Sequence, residues 1–169
     1  MKTNRIRRAL LISFLVLFNF SCDQISKNII RKRTNSNEII HVIKDTLILK
    51  KAENTGAALG LGSNLPSALK TIYFQILPVA FLLFLFRMIL IETEFSKLTA
   101  IGIAFAIGGG TGNLYDRIAY GSVTDFIVLE AGILKTVIFN IADISIIIGI
   151  VLAFTGLFLN KKNNLETHL

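Results

Sequence analysis

Tryptophan is absent from the 169 residues, cysteine occurs once and proline twice, so little of the chain's chemistry can rest on these types. The lone Cys22 excludes an internal disulfide and any cysteine-based zinc cluster. The two histidines, His41 and His168, stand far apart without a companion ligand motif, so no metal site is expected. Neither a Gly-x-Ser-x-Gly elbow nor a His-Glu-x-x-His helix occurs, and Cys22 has no evident base beside it. Serine, zinc and thiol hydrolases therefore lack their residue sets. Acidic residues are scarce as well, eleven against eighteen Lys and Arg, for a net charge of +7. The cations scatter around apolar stretches instead of forming one stripe with interleaved aromatics. That pattern disfavours nucleic acid and points to anionic lipid headgroups as partners.

What the chain has in quantity is hydrocarbon. An apolar fraction of 53% and a mean hydropathy of +0.64 exceed those of ordinary soluble domains. The economical reading is one membrane-embedded domain over residues 1–169, its interfacial belt resting on Tyr73, Tyr115, Tyr120 and Phe. A bilayer core about 30 Å thick takes about 20 apolar helical residues. Four segments qualify: about 9–30, 67–91, 98–119 and 136–159. Pro78 should kink the second, and Arg87 can snorkel to its near interface. The first has a rival reading as a cleaved signal peptide, with a basic head, an apolar run and then Ser21-Cys22. Asn19 spoils the cleavage box, and apolar residues resume at Ile25, so an uncleaved helix is favoured.

Four basic residues among the first eight place the N-terminus in the cytoplasm, and four spans return the C-terminus to that side. The cation count then runs against the positive-inside rule, with eight inside and ten outside. A folded outer segment can override such a count. That segment, about 38–64, reads as short strands at Ile39–Ile43 and Leu47–Leu49, followed by a small-residue loop from Asn54 to Gly62. The tail from Asn163 is polar and should fray.

Two aspartates stand where a carboxylate is costly. Asp125 sits in Val123-Thr124-Asp125-Phe126, and Asp143 follows Phe139-Asn140-Ile141-Ala142 at the head of a long uncharged stretch. Ionisable groups at membrane depth mark functional sites by default. With the fourth span beginning at Thr136, Asp143 would lie roughly 10 Å down its helix. Asp125 falls in the link returning from the third span. The pair can converge beneath the outer surface, share a proton and run acid–base chemistry on a peptide bond. The plain alternative makes each a helix cap or an ion-pair partner. Asn140, one turn before Asp143, can orient a carboxylate or water, or simply bond between helices. Gly108 and Gly112 have the small-xxx-small spacing of close helix packing. Asn113 and Arg117, four apart, share a face, and Arg117 can brace the carboxylates or a substrate carbonyl. Asp116 can neutralise a nearby cation. Asp23 and Lys27 form an i, i+4 pair, worth about 0.3–0.5 kcal/mol if exposed, and Lys27 can also meet lipid phosphate. Asn54 can hydrogen-bond an extended peptide or make a turn.

Five blocks, Asp23-Gln24-Ile25-Ser26-Lys27, Asn54-Thr55-Gly56-Ala57-Ala58, Gly109 through Arg117, Val123 through Phe126 and Phe139 through Asp143, together resemble the bacterial lipoprotein signal peptidase family, signal peptidase II. They occur in family order from the first span to the fourth. The resemblance implies an all-α polytopic membrane protein of four transmembrane helices with a small extracytoplasmic β-cradle. It implies an aspartyl endopeptidase of the bacterial inner membrane that cleaves prolipoproteins before a diacylglyceryl-modified cysteine. The catalytic pair falls on Asp125 and Asp143. Asp23, Lys27, Asn54, Gly56, Asn113, Arg117 and Asn140 match supporting or ligand-facing positions. The chain departs at Leu59, where the family often has Phe. The expected partners are lipid-modified prolipoproteins and membrane lipids, with no cofactor needed, the enzyme a monomer and its site near the extracytoplasmic face. Rival classes are a small transporter using the aspartates as a proton relay, and a lipoprotein that loses residues 1–21.

Overall fold

A computed structural model describes residues 2–166 apart from 36, 37, 45, 93, 94, 132 and 133, so His168 and Asp45 lie outside the described residues. Helix α1 runs Lys2–Arg33, followed by strands β1, Ile39–Ile43, and β2, Leu47–Asn54. A 3₁₀ turn at Ala58–Gly60 leads to helix α2, Ser67–Ile91. Helix α3 spans Lys97–Tyr120, strands β3 and β4 cover Val123–Ala131 and Leu134–Lys135, and helix α4 runs Ile141–Glu166. The tail from Asn163 is thus helical as far as Glu166 rather than frayed.

Among the described residues, three helices are long and apolar enough to cross a membrane: Arg5–Arg33, Ser67–Ile91 and Ile141–Asn160. Helix α3 is not among them, because its outer half carries five small or polar residues from Gly108 and then Asn113, Asp116 and Arg117. Large apolar side chains such as Phe14, Phe84 and Phe154 stay more than half exposed on the outside of the bundle, as lipid-facing residues do. The chain is a membrane protein.

Each terminus has a local cause. Ser96 Oγ accepts from Thr99 N at 3.1 Å to start α3, and Gly121, at φ 76°, ends it in the left-handed conformation that glycine adopts without strain. In α2 the disturbance expected at Pro78 takes the form of a π-turn over Ile72–Ile76, just before the residue that lacks an N–H.

Glycines hold α3 against its neighbours. A Cβ on Gly108 would meet Val16 O and Asn19 Cβ of α1 at 2.8 and 2.7 Å. A Cβ on Gly102 would press on Gly149 O and Ala153 of α4. Ile12, Ile89, Ala100, Ala104 and Ile107 form the apolar core where α1, α2 and α3 meet.

The sheet is antiparallel in the order β1-β2-β3-β4. The outer segment foreseen at 38–64 supplies β1 and β2, but β3 and β4 come from the link that had no strand assigned to it. Asp125 therefore sits on a strand, opposite Ala52, and not in an open loop. The fourth span also begins later than expected. Phe139 is drawn into the sheet, accepting from Phe126 N and Ile127 N at 2.9 and 2.8 Å and donating to Ile127 O at 3.0 Å. Helix α4 consequently starts at Ile141, and Asp143 lies in its first turn rather than two turns down.

Candidate active site

Strand β3 and the first turn of α4 bring the two carboxylates onto one asparagine. Asn140 precedes α4 and caps it reciprocally: its backbone N donates to Asp143 Oδ2 at 3.0 Å, while Asp143 N donates to Asn140 Oδ1 at 3.1 Å. Its amide Nδ2 then reaches across to Asp125 Oδ1 at 2.6 Å and to Asn113 Oδ1 at 3.1 Å. Asn113, on α3, donates through Nδ2 to Asp143 Oδ1 at 2.8 Å. Asn54 ends β2 in a turn of its own making, accepting from Gly56 N at 2.9 Å and donating to Ala57 O at 3.1 Å. The same Nδ2 lies 3.3 Å from Asp125 Oδ2. Gly56 is obligatory there, since a Cβ would come within 2.8 Å of Gly60 backbone.

Asp125 is 6% exposed, and burial lifts its carboxyl from 3.8 to about 6. The Asp143 charge pushes the same way, against the hydrogen bonds from Asn140 and Asn54 and the charge of Lys27. Both aspartates line a cavity of about 1120 Å³ between α2, α3 and α4. Its walls are mainly apolar and include Pro78, Phe81, Ile147 and Phe154, with Phe81, Ile147 and Phe154 more than half exposed on the bundle's outer surface. The cavity thus opens towards lipid.

Behind the carboxylates lies an ionic cluster whose burial differs from what its spacing suggested. Asp23 and Lys27 pair at 2.8 Å, but both are fully buried, so Lys27 makes no contact with lipid phosphate. Lys27 also meets Asp116 at 3.1 Å and donates to Asn113 Oδ1 at 2.8 Å. Arg31 meets Asp116 at 2.8 Å, so two cations balance two anions. Such a cluster holds only when complete, because removing one member strands a buried charge at a cost of about 3–5 kcal/mol. Asp23 also accepts from Ala142 N at 3.0 Å, tying α1 to the first turn of α4. Gly112 leaves room for this carboxylate, as a Cβ would collide with it.

Arg117 donates to Gly56 O at 2.9 Å and to Asn113 O at 3.3 Å, with its guanidinium 5.8 Å from the centre of the Phe74 ring. Its hydrogen bonds thus brace the loop backbone instead of the carboxylates.

Four participants escaped the sequence reading. Gln24 Nε2 contacts Asp23, Asp116 and the Gly112 carbonyl at 3.0–3.2 Å. Arg31 Nε donates to Thr124 Oγ1 at 2.8 Å, and Thr124 Oγ1 donates to Glu53 Oε1 at 2.9 Å, linking α1, β3 and β2 beside Asp125. The four-residue spacing of Asp23, Lys27 and Arg31 along one helix face is a signal for Arg31. Gln24 and Thr124 lie inside quoted blocks, whereas nothing local marks Glu53.

A bundle of membrane helices under a small sheet, with two carboxylates at a lipid-facing cavity, defines a membrane enzyme. Two solved bacterial membrane enzyme structures share the fold: one at TM-score 0.79, covering 90% of each chain, and one at 0.73, covering 87% of this chain and 92% of the other, each at 28% identity. The chain belongs to the signal peptidase II family, whose model, described as Signal peptidase (SPase) II, matches residues 15–159. It is 38% identical to a lipoprotein signal peptidase of Aquifex aeolicus over 143 residues, 84% of this chain and 82% of that one. It is 31% identical to a lipoprotein signal peptidase of Borrelia hermsii over 155 residues, 88% of each.

Proposed function

We propose that this peptidase is of the aspartic type, with Asp125 and Asp143 as its catalytic pair, and that it cuts prolipoproteins before the diacylglyceryl-modified cysteine. Removal of signal peptides from prolipoproteins is the activity of the family to which the chain belongs. The observation that carries the aspartic reading is the asparagine bridge: Asn140 holds Asp125 at 2.6 Å and Asp143 at 3.0 Å, both lining one cavity. One carboxylate takes a proton from water as the oxygen attacks the scissile carbonyl carbon. Its partner protonates the carbonyl oxygen, and on collapse of the tetrahedral adduct a proton passes to the departing amine. Asn54, Asn113 and Asn140 hold the two carboxylates, Arg117 and Gly56 shape the loop over them, and Asp23 and Lys27 support Asn113 and α4. No metal or cofactor takes part.

The fold supports the wider reading. With α3 as a fourth span, α1 to α4 cross the bacterial inner membrane and the sheet forms a cradle at the extracytoplasmic face. The lipid-facing cavity suits a substrate whose signal helix and acyl chains already lie in the bilayer. Ile12 of α1 lies in the buried core, and Val16 and Asn19 pack against Gly108 of α3, which favours a retained first helix.

The test is cleavage of a purified diacylated proprotein by Asp125→Asn and Asp143→Asn variants that remain folded in the membrane. Each should lose about 10²–10⁴-fold or more of its turnover, the scale of a positioned acid or base. Turnover like the parent's in either variant removes that residue from the pair, and loss of parental activity in EDTA with recovery in zinc overturns the aspartic reading.

A further inference from the structure

The two carboxylates are held unequally. Asp143 has both oxygens engaged by N–H groups that can only donate: Oδ1 by Asn113 Nδ2 at 2.8 Å and Oδ2 by the Asn140 backbone N at 3.0 Å. A resting proton on either oxygen would compete with a donor, although each oxygen keeps a second lone pair for a proton in transit. Asp125, which lines the cavity, accepts one short bond at Oδ1 from Asn140, while its Oδ2 has only the longer 3.3 Å contact with Asn54. Oδ2 of Asp125 is therefore where a single shared proton fits.

The asymmetry depends on which way the Asn113 amide points, and a buried cation fixes that. Asn113 Oδ1 accepts from Lys27 Nζ at 2.8 Å and from Asn140 Nδ2 at 3.1 Å. A flipped amide would set its NH₂ against an ammonium and another NH₂, so it cannot turn, and its donor stays on Asp143. We propose that Lys27 is a positioning residue that, by locking the Asn113 amide, makes Asp143 the base that activates water and Asp125 the acid that protonates the carbonyl. This assignment rests on the aspartic reading above. In the reaction, water gives a proton to Asp143 as its oxygen bonds to the carbonyl carbon, and Asp125 Oδ2 gives its proton to the carbonyl oxygen. The C–N bond then breaks with the proton on Asp143 passing to the amine, and Asp125 recovers its proton from the adduct hydroxyl.

Asp143 is coupled to Asp125 from β3 and to Arg117 from α3, and the charged cluster behind the pair holds Asp116 from α3 with Lys27, Asp23 and Arg31 from α1. Removing Lys27 alone would strand buried carboxylates, so the informative variant is Lys27→Met combined with Asp23→Asn, which leaves Arg31 paired with Asp116 and the cluster neutral. Turnover of a diacylated proprotein is measured against pH. The double variant should keep its KM within about twofold, lose about tenfold or more in kcat, and move the acidic limb of the profile upward as the base loses a fixed donor. Asp23→Asn alone leaves Lys27 and Arg31 sharing Asp116 and lowers stability, yet it keeps the Lys27–Asn113 bond, so the folded enzyme should keep the parental limb. Ser145→Ala, which removes a buried contact of 3.0 Å to Asn19 between α1 and α4, should also leave the limb in place. A parental profile in the folded double variant, a change confined to KM, or an equal shift in Ser145→Ala overturns the proposal. Inert Asp125→Asn and Asp143→Asn enzymes alongside such a result would leave the aspartic reading standing, whereas active ones would remove both.

Discussion

Replacing Asp125 with Asn should stabilise the folded protein while abolishing turnover, and the gain should depend on pH. Burial lifts this carboxyl from 3.8 to about 6. Below about pH 4 it is protonated in folded and unfolded chains alike and the position costs nothing. Between about pH 4 and 6 the unfolded chain ionises first, so stability falls as pH rises. Above 6 the full cost persists, about 3 kcal/mol at 1.36 kcal/mol per pH unit. Asparagine cannot ionise. It keeps an oxygen for the 2.6 Å bond from Asn140 but turns its amide NH₂ towards Asn54, and losing that 3.3 Å contact costs about 1 kcal/mol. The net gain near pH 7.5 is about 2 kcal/mol, or roughly 4–8 °C in Tm for a chain of this length. Thermal unfolding of both proteins in one detergent at pH 4 and pH 7.5 reads it directly. The difference should vanish or slightly reverse at pH 4. A variant less stable at pH 7.5, or a Tm difference equal at the two pH values, would refute the view that this buried carboxyl is held at a cost.

Two further outcomes are expected. Gly109→Val should lower stability by about 1–3 kcal/mol and depress cleavage, because its Cβ would run into Ala142 O and lie 3.0 Å from Ile146, driving α4's first turn from α3; unfolding and turnover measured together check this. Cys22→Ala should retain parental turnover, and the intact mass of protein extracted from membranes should include α1; a mature form beginning at a lipidated Cys22 would contradict both.

The helices were legible because long apolar runs bounded by charge admit few other structures, and the five motif blocks led to the family that the comparisons bear out. The start of α4 was not. Thr136, Val137 and Ile138 are β-branched or apolar and continue the helix's hydropathy without a break, and short apolar runs do not separate strand from helix by period. Only the pairing of Phe139 with Ile127 decides it, and that is a tertiary fact. Likewise the spacing of Asp23 and Lys27 announced a pair but not its burial, which depends on Asp116 arriving from α3. Arg117 shows the converse case: its i, i+4 relation to Asn113 was visible, yet its second partner is the Gly56 carbonyl, which no local pattern specifies.

The lipid-facing mouth between Phe81 and Phe154 changes what concentration means for this enzyme. A substrate that reaches the site within the bilayer is counted as a mole fraction among lipids, not as moles per litre. Adding buffer to a suspension of proteoliposomes leaves that quantity untouched, whereas fusing in substrate-free lipid lowers it. Detergent or lipid chains that fill the same apolar walls compete on the same footing. Rates therefore scale with the composition of the membrane plane, and an apparent KM measured in micelles belongs to the micelle as much as to the enzyme.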